Sequence, residues 1–230
     1  MIGFYNYTVI LTFLSLVSSV FGMAQAVDGH FKTAIFCLAF SGLCDAFDGK
    51  VARTKKNRTD DERLFGIQLD SLCDVVAFGA CPAVICYLLG VKNSFGFIAI
   101  AYYCICAVIR LAFYNVLETN SATNENPPAE KVFHGLPVTS ISIIFPLVFL
   151  VSVAFDFPEK IMPYILIGML FIVGTLFVLD FKVKKPKFST LLVMIAIVAF
   201  ALAIIVVFSN YNIKLIGSDG IFTNLLEALK

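Results

Sequence analysis

Two pairs of aspartates stand inside otherwise apolar stretches of this chain. Asp45 and Asp48 are three residues apart in Leu43-Cys44-Asp45-Ala46-Phe47-Asp48-Gly49-Lys50-Val51-Ala52-Arg53, and Asp70 and Asp74 are four apart in Gly66-Ile67-Gln68-Leu69-Asp70-Ser71-Leu72-Cys73-Asp74. Either spacing puts both carboxylates on one face of a helix. The connection between the stretches is short, so the two helices pack as antiparallel neighbours and their aspartate faces can converge. Bare carboxylates in apolar helices are costly and mark functional sites. Hard divalent cations take carboxylate oxygens and suit phosphate chemistry, which makes one or two Mg²⁺-like ions the natural partners. A pair of such ions could neutralise a diphosphate and stabilise both the attacking and the leaving oxygen of an in-line displacement. Asp60, Asp61 and Glu62 read differently, as solvated charges at a helix end.

The residues around the aspartates fit the same chemistry. Gly49 and Gly66 remove side chains where a ligand or a second backbone must come close. Arg53 lies about a turn beyond Asp48, and its guanidinium fork suits phosphate oxygens. Ala52 keeps the helix surface low beside it.

The elements that must carry this site are membrane helices. Of 230 residues, 60% are apolar and 14% charged, against about 45–50% and 25% in soluble domains. A net charge of +1 gives no polyelectrolyte character and argues against nucleic acid as a partner. About 20 apolar residues make a spanning helix, and seven candidates appear, at about 5–27, 32–55, 64–90, 95–118, 133–155, 161–180 and 188–208. A last segment, Ile221 to Leu229, is too short to span and reads as interfacial. The expected fold is therefore an all-α polytopic membrane bundle of about seven spans, with the metal site on the second and third.

With the N-terminus in the cytoplasm, 12 of the 17 basic residues fall on the cytoplasmic side, concentrated in 50–63 and 182–187. The positive-inside rule then puts the 50–63 connection, and the site beside it, at the cytoplasmic face of a cell membrane. The first apolar run imitates a signal peptide, with Ala24-Gln25-Ala26 as an A-x-A site. No Lys or Arg precedes the run, and the apolar segment from Ile2 to Val27 exceeds the usual h-region of about 7–15 residues, so it reads as a retained first span. The seven cysteines lie in apolar stretches without paired CxxC spacing and read as buried, reduced thiols. There is no internal repeat to support an inverted-repeat transporter.

At the aspartates the chain resembles a known family. Asp45-xx-Asp48-Gly49-xx-Ala52-Arg53 followed by Gly66-xxx-Asp70-xxx-Asp74 is similar to the signature of the CDP-alcohol phosphatidyltransferases. The match fixes eight positions in order, so it is highly specific. One departure is the twelve residues between Arg53 and Gly66, more than the family usually has; the excess is polar and reads as an extra turn of cytoplasmic loop. The resemblance implies that Asp45, Asp48 and Asp70 are metal ligands. It also implies that Asp74 both approaches the metal and acts as general base on the acceptor hydroxyl. Asp48, Gly49, Arg53 and Gly66 match the positions that bind the CDP-lipid donor. The cofactor implied is Mg²⁺ or Mn²⁺, as two ions, and a homodimer is the common assembly.

Three further stretches resemble the serine-accepting branch of that family: Leu69 to Pro82, Ile109 to Val116, and Phe133 to Thr139. The expected reaction is transfer of a phosphatidyl group from CDP-diacylglycerol to the hydroxyl of serine, with release of CMP. A zwitterionic acceptor needs a cation for its carboxylate. Arg110, with Asn115 five residues on and Lys131 near the interface, can supply acceptor contacts; alternatively Arg110 snorkels to the interface. His134 reads as a loop residue. Glycerol 3-phosphate or inositol phosphate as acceptor, or an ether-lipid donor, would keep the chemistry. A phosphorylated acceptor, however, calls for a second basic cluster near the site. Outside the class, the same aspartates could serve a divalent-cation transporter. The resemblance divides the chain into a catalytic core, 1–155, and additional spans with the short C-terminal segment, 156–230.

Overall fold

The computed structural model describes residues 3–4, 6–55, 58–123, 133–155, 157–158 and 160–183. The expected span at 188–208 and the segment Ile221 to Leu229 lie outside the described residues. Those described form an all-helical chain: α1 (Ile10–Val27), α2 (Phe31–Thr54), α3 (Asp60–Asp74), α4 (Cys81–Leu88), α5 (Ser94–Thr123), α6 (Ile141–Ala154) and α7 (Met162–Val178). The sole pairing of extended chain among them joins β1 (Phe133–His134) and β2 (Lys182–Val183), antiparallel.

α1 and α2 form a close antiparallel pair because α1 buries a stripe of small residues, Thr12, Ser15, Ser19, Gly22 and Ala26. Helices in lipid associate through such stripes, since apolar bulk offers no advantage over lipid tails. A Cβ at Gly22 would come within 2.9 Å of Cys37 Cβ. Hydroxyls then reach the neighbouring backbone: Ser18 Oγ donates to Cys37 O and Ser41 Oγ to Ser15 O, both at 2.9 Å. The turn between the helices is a Schellman cap. Gly29 takes φ +80°, and His30 N donates to Gln25 O at 2.8 Å.

α3 starts on a capping box, in which Thr59 Oγ1 accepts from Glu62 N at 3.2 Å and three acids occupy the first turn, where the helix dipole favours them. That agrees with the reading of Asp60, Asp61 and Glu62 as helix-end charges. Just after Asp74 the helix widens into a π-helical turn, Val75–Ala80, before continuing as α4. Pro82 has no N–H, so the carbonyl of Phe78 has no i+4 donor. The hydroxyl of Tyr103, wholly buried on α5, supplies the bond at 2.5 Å. α5 packs along α7, where a Cβ at Gly174 would sit 3.2 Å from Tyr102. Likewise Gly42 of α2 leaves room for Ser142 of α6.

Among the described residues, three helical runs are long and apolar enough to cross a membrane: Tyr7–Val27, Asp60–Leu88 and Ser94–Asn120. Six of the seven expected spans fall in that part of the chain. α2 has 24 residues, but its second half carries Asp45, Asp48, Lys50 and Arg53. α6 and α7, with 14 and 17 residues, fall below about 20. The expected span 133–155 also begins late. Gly135, at φ +72°, and Pro137 stop a helix, and the segment is instead tied to the end of α7. Gly135 N donates to Phe181 O at 2.8 Å and Leu136 N to Leu176 O at 3.1 Å. All seven cysteines are free.

Candidate metal centre

α2 and α3 bring the four aspartates together. Asp45, Asp70 and Asp74 each place a carboxylate oxygen within 4.8 Å of the others. Asp48 joins them through Asp70, whose carboxylate it meets, as Asp45 meets that of Asp74. Asp48 and Asp74 are buried, Asp45 and Asp70 partly so. The Asp48 carboxylate is held by α1, whose Thr12 Oγ1 donates to Oδ2 at 3.2 Å.

The donor set fits a hard divalent cation. Three of the four carboxylates stand within 4.8 Å of one another, and Asp70 Oδ1 is buried without a hydrogen-bond partner. Buried charge of one sign needs a counter-charge, and oxygen-only ligands select Mg²⁺-like ions over thiol-seeking ones. Cys44 and Cys73 are buried beside the aspartates as thiols and are not among the groups that could hold the ion.

The other residues singled out by sequence have surroundings of several kinds. Gly49 faces open space, with nothing within 4 Å of where a Cβ would stand. Gly66 instead lies under a guanidinium: a Cβ there would be 2.9 Å from Arg58 Nη2. Arg53 is on α2, but its side chain lies outside the described residues, as does Lys131. Asn115 is tied to α3 in two places, accepting from Ser71 Oγ at 2.5 Å and donating to Gln68 Oε1 at 3.4 Å. α5 is thereby fastened between the turns that carry Asp70 and Asp74. Arg110 is buried, stacks on Tyr114 with its guanidinium 5.5 Å from the ring centre, and donates from Nε to Leu136 O at 3.3 Å. Its Nη1 is buried without a partner. Arg110 is thus buried and held against the backbone of Leu136.

Sequence reasoning missed two residues, Thr12 at the centre and Arg58 over Gly66. Thr12 was discoverable, since it continues the small-residue stripe of α1 to the level of Asp48. Arg58 carried no signal beyond its charge.

The sequence profile described as CDP-alcohol phosphatidyltransferase matches residues 5–179, and the chain belongs to that family. Among curated relatives, a CDP-diacylglycerol–serine O-phosphatidyltransferase of Saccharomyces cerevisiae is 32% identical over 117 residues, covering 50% of this chain and 41% of the relative. The chain therefore spans less than half the length of the yeast protein. Proteins of the same name from Helicobacter pylori (28% over 207 residues, 87% of this chain and 82% of the relative) and Methanocaldococcus jannaschii (26% over 220 residues, 90% and 94%) align nearly end to end.

Proposed function

We propose that the protein transfers a phosphatidyl group from CDP-diacylglycerol to serine, forming phosphatidylserine and CMP at the cytoplasmic face of a cell membrane. The observation that carries this reading is the convergence of Asp45, Asp48, Asp70 and Asp74 around an orphaned carboxylate oxygen at the α2–α3 seam. In it, the four aspartates hold Mg²⁺ or Mn²⁺, with two ions as the expected number. When bound, the metal neutralises the donor diphosphate and stabilises charge on the phosphoryl oxygens. Gly49, Gly66, Asp48 and Arg53 receive the nucleotide end of the donor, whose lipid tails remain in the bilayer. Asp74 accepts the proton of the serine hydroxyl. The serine oxygen then forms its bond to the phosphorus bearing diacylglycerol, and the bond from that phosphorus to CMP breaks.

Serine as acceptor is supported by the names of the relatives and by the 69–82, 109–116 and 133–139 stretches. Physically, the unpartnered Nη1 of Arg110 offers a buried cationic donor to a carboxylate, with Asn115 a little over a turn further along α5 and Lys131 as a further acceptor contact. A homodimer is the assembly proposed. The test is to incubate purified protein in detergent with CDP-diacylglycerol and Mg²⁺ or Mn²⁺, offering serine, glycerol 3-phosphate and inositol phosphate separately. CMP release with serine alone is expected. Release only with a phosphorylated acceptor would overturn the acceptor but keep the class. Metal flux in sealed vesicles with no CMP release would replace the enzyme by a cation transporter.

A further inference from the structure

We propose that Arg58, in the connection between α2 and α3, is a second cation for the donor's diphosphate. The inference deepens the proposed function and rests on its CDP-linked donor. Its basis is an incomplete set of bonds. Arg58 Nε is buried and has no partner, and Nη1 reaches only Ala52 O, at 3.4 Å. Nearby, Glu62 is engaged by Lys55 at 2.9 Å. A buried guanidinium N–H left without an acceptor is costly, because it loses water and gains nothing in return.

The position of the guanidinium says what completes it. Nη2 lies over Gly66, which is one turn before Asp70 on the same face of α3, about 6 Å along the axis. Asp70 Oδ1 is the other orphan of this region. Two unsatisfied groups of opposite character thus occupy successive turns of one helix and are not bonded to each other. A diphosphate bound with a divalent ion supplies both complements, the ion to the carboxylate and phosphate oxygens to the guanidinium. Arginine's planar fork is suited to two such oxygens at once. Gly66 fits the same account: a side chain there would push Arg58 off the helix surface.

The experiment uses the full chain in detergent with Mg²⁺ and measures binding of CDP and of cytidine, which lacks the phosphates. R58Q is expected to weaken CDP about 10- to 100-fold and to leave cytidine unchanged. R58K, a point charge in place of a fork, is expected to fall between R58Q and the wild type. Wild-type CDP affinity in R58Q, or equal loss of CDP and cytidine, overturns the proposal. Should R58Q fail to fold, R58K carries the test, and CDP affinity equal to the wild type's overturns it. A wild-type protein that does not bind CDP removes the donor itself, so that failure is distinct from a failure of Arg58 alone.

Discussion

In the proposed metal centre the four carboxylates act as a set, so the loss of one should be felt fully. Asp45→Ala, Asp48→Ala and Asp70→Ala are each expected to abolish turnover, and excess EDTA to silence the wild type; activity persisting in chelator would refute the metal centre. Asp74 is expected to separate from the others. In its proposed role as proton acceptor it acts on chemistry, so Asp74→Asn should keep measurable affinity for the CDP-lipid while losing turnover, a defect in kcat rather than KM. If donor binding is lost and no separate chemical defect remains, Asp74 is a ligand only. The proposed acceptor contact rests most on Arg110. Lys in its place exchanges a bidentate fork for a point charge, and loss of a buried charge-assisted pair costs about 2–5 kcal/mol. Arg110→Lys is therefore expected to raise the serine KM about 30-fold or more, with donor binding nearly unchanged. An unchanged serine KM would leave Arg110 as a clamp on Leu136 alone.

At the scale of elements, what could be read from sequence was what rests on local spacing. The aspartates three and four apart, the small-residue stripe of α1 and the acidic start of α3 are each contained within a few turns of helix, and spacing carried the first and last of these directly. What could not be read depends on partners distant in the chain. An apolar window cannot separate Phe133 to Pro137 from the helix that follows, because the deciding bonds go to Leu176 and Phe181. Arg58 reaches Gly66 only through the course of a loop, and the extra loop length disclosed its size but no contact. The π-helical turn was equally hidden, since a proline in an apolar run does not announce where the missing donor will be replaced. Tyr103→Phe removes that replacement and leaves Phe78 O buried and unpaired, so it is expected to lower stability by about 1–3 kcal/mol. The measurement is thermal unfolding in detergent with and without Mg²⁺. A midpoint equal to wild type would show that the backbone closes the gap by itself.

For the molecule as a whole, the site is shared among helices that meet only after much of the chain is in place. α1 steadies Asp48, α2 and α3 supply the carboxylates, and α5 fastens α3 through Asn115 and receives the 135–137 segment through Arg110. The bond between Tyr103 and Phe78 bears on the order in which this happens. Lipid offers no donor to a carbonyl left open by a proline, so the run Asp60–Leu88 cannot rest comfortably in the bilayer by itself. Its hydroxyl partner is encoded in the next long helix, 25 residues later. During synthesis the two should therefore enter as a hairpin, with the earlier one waiting at the translocation machinery for the later. A chain halted before Tyr103 is expected to remain extractable where one halted after α5 is firmly embedded.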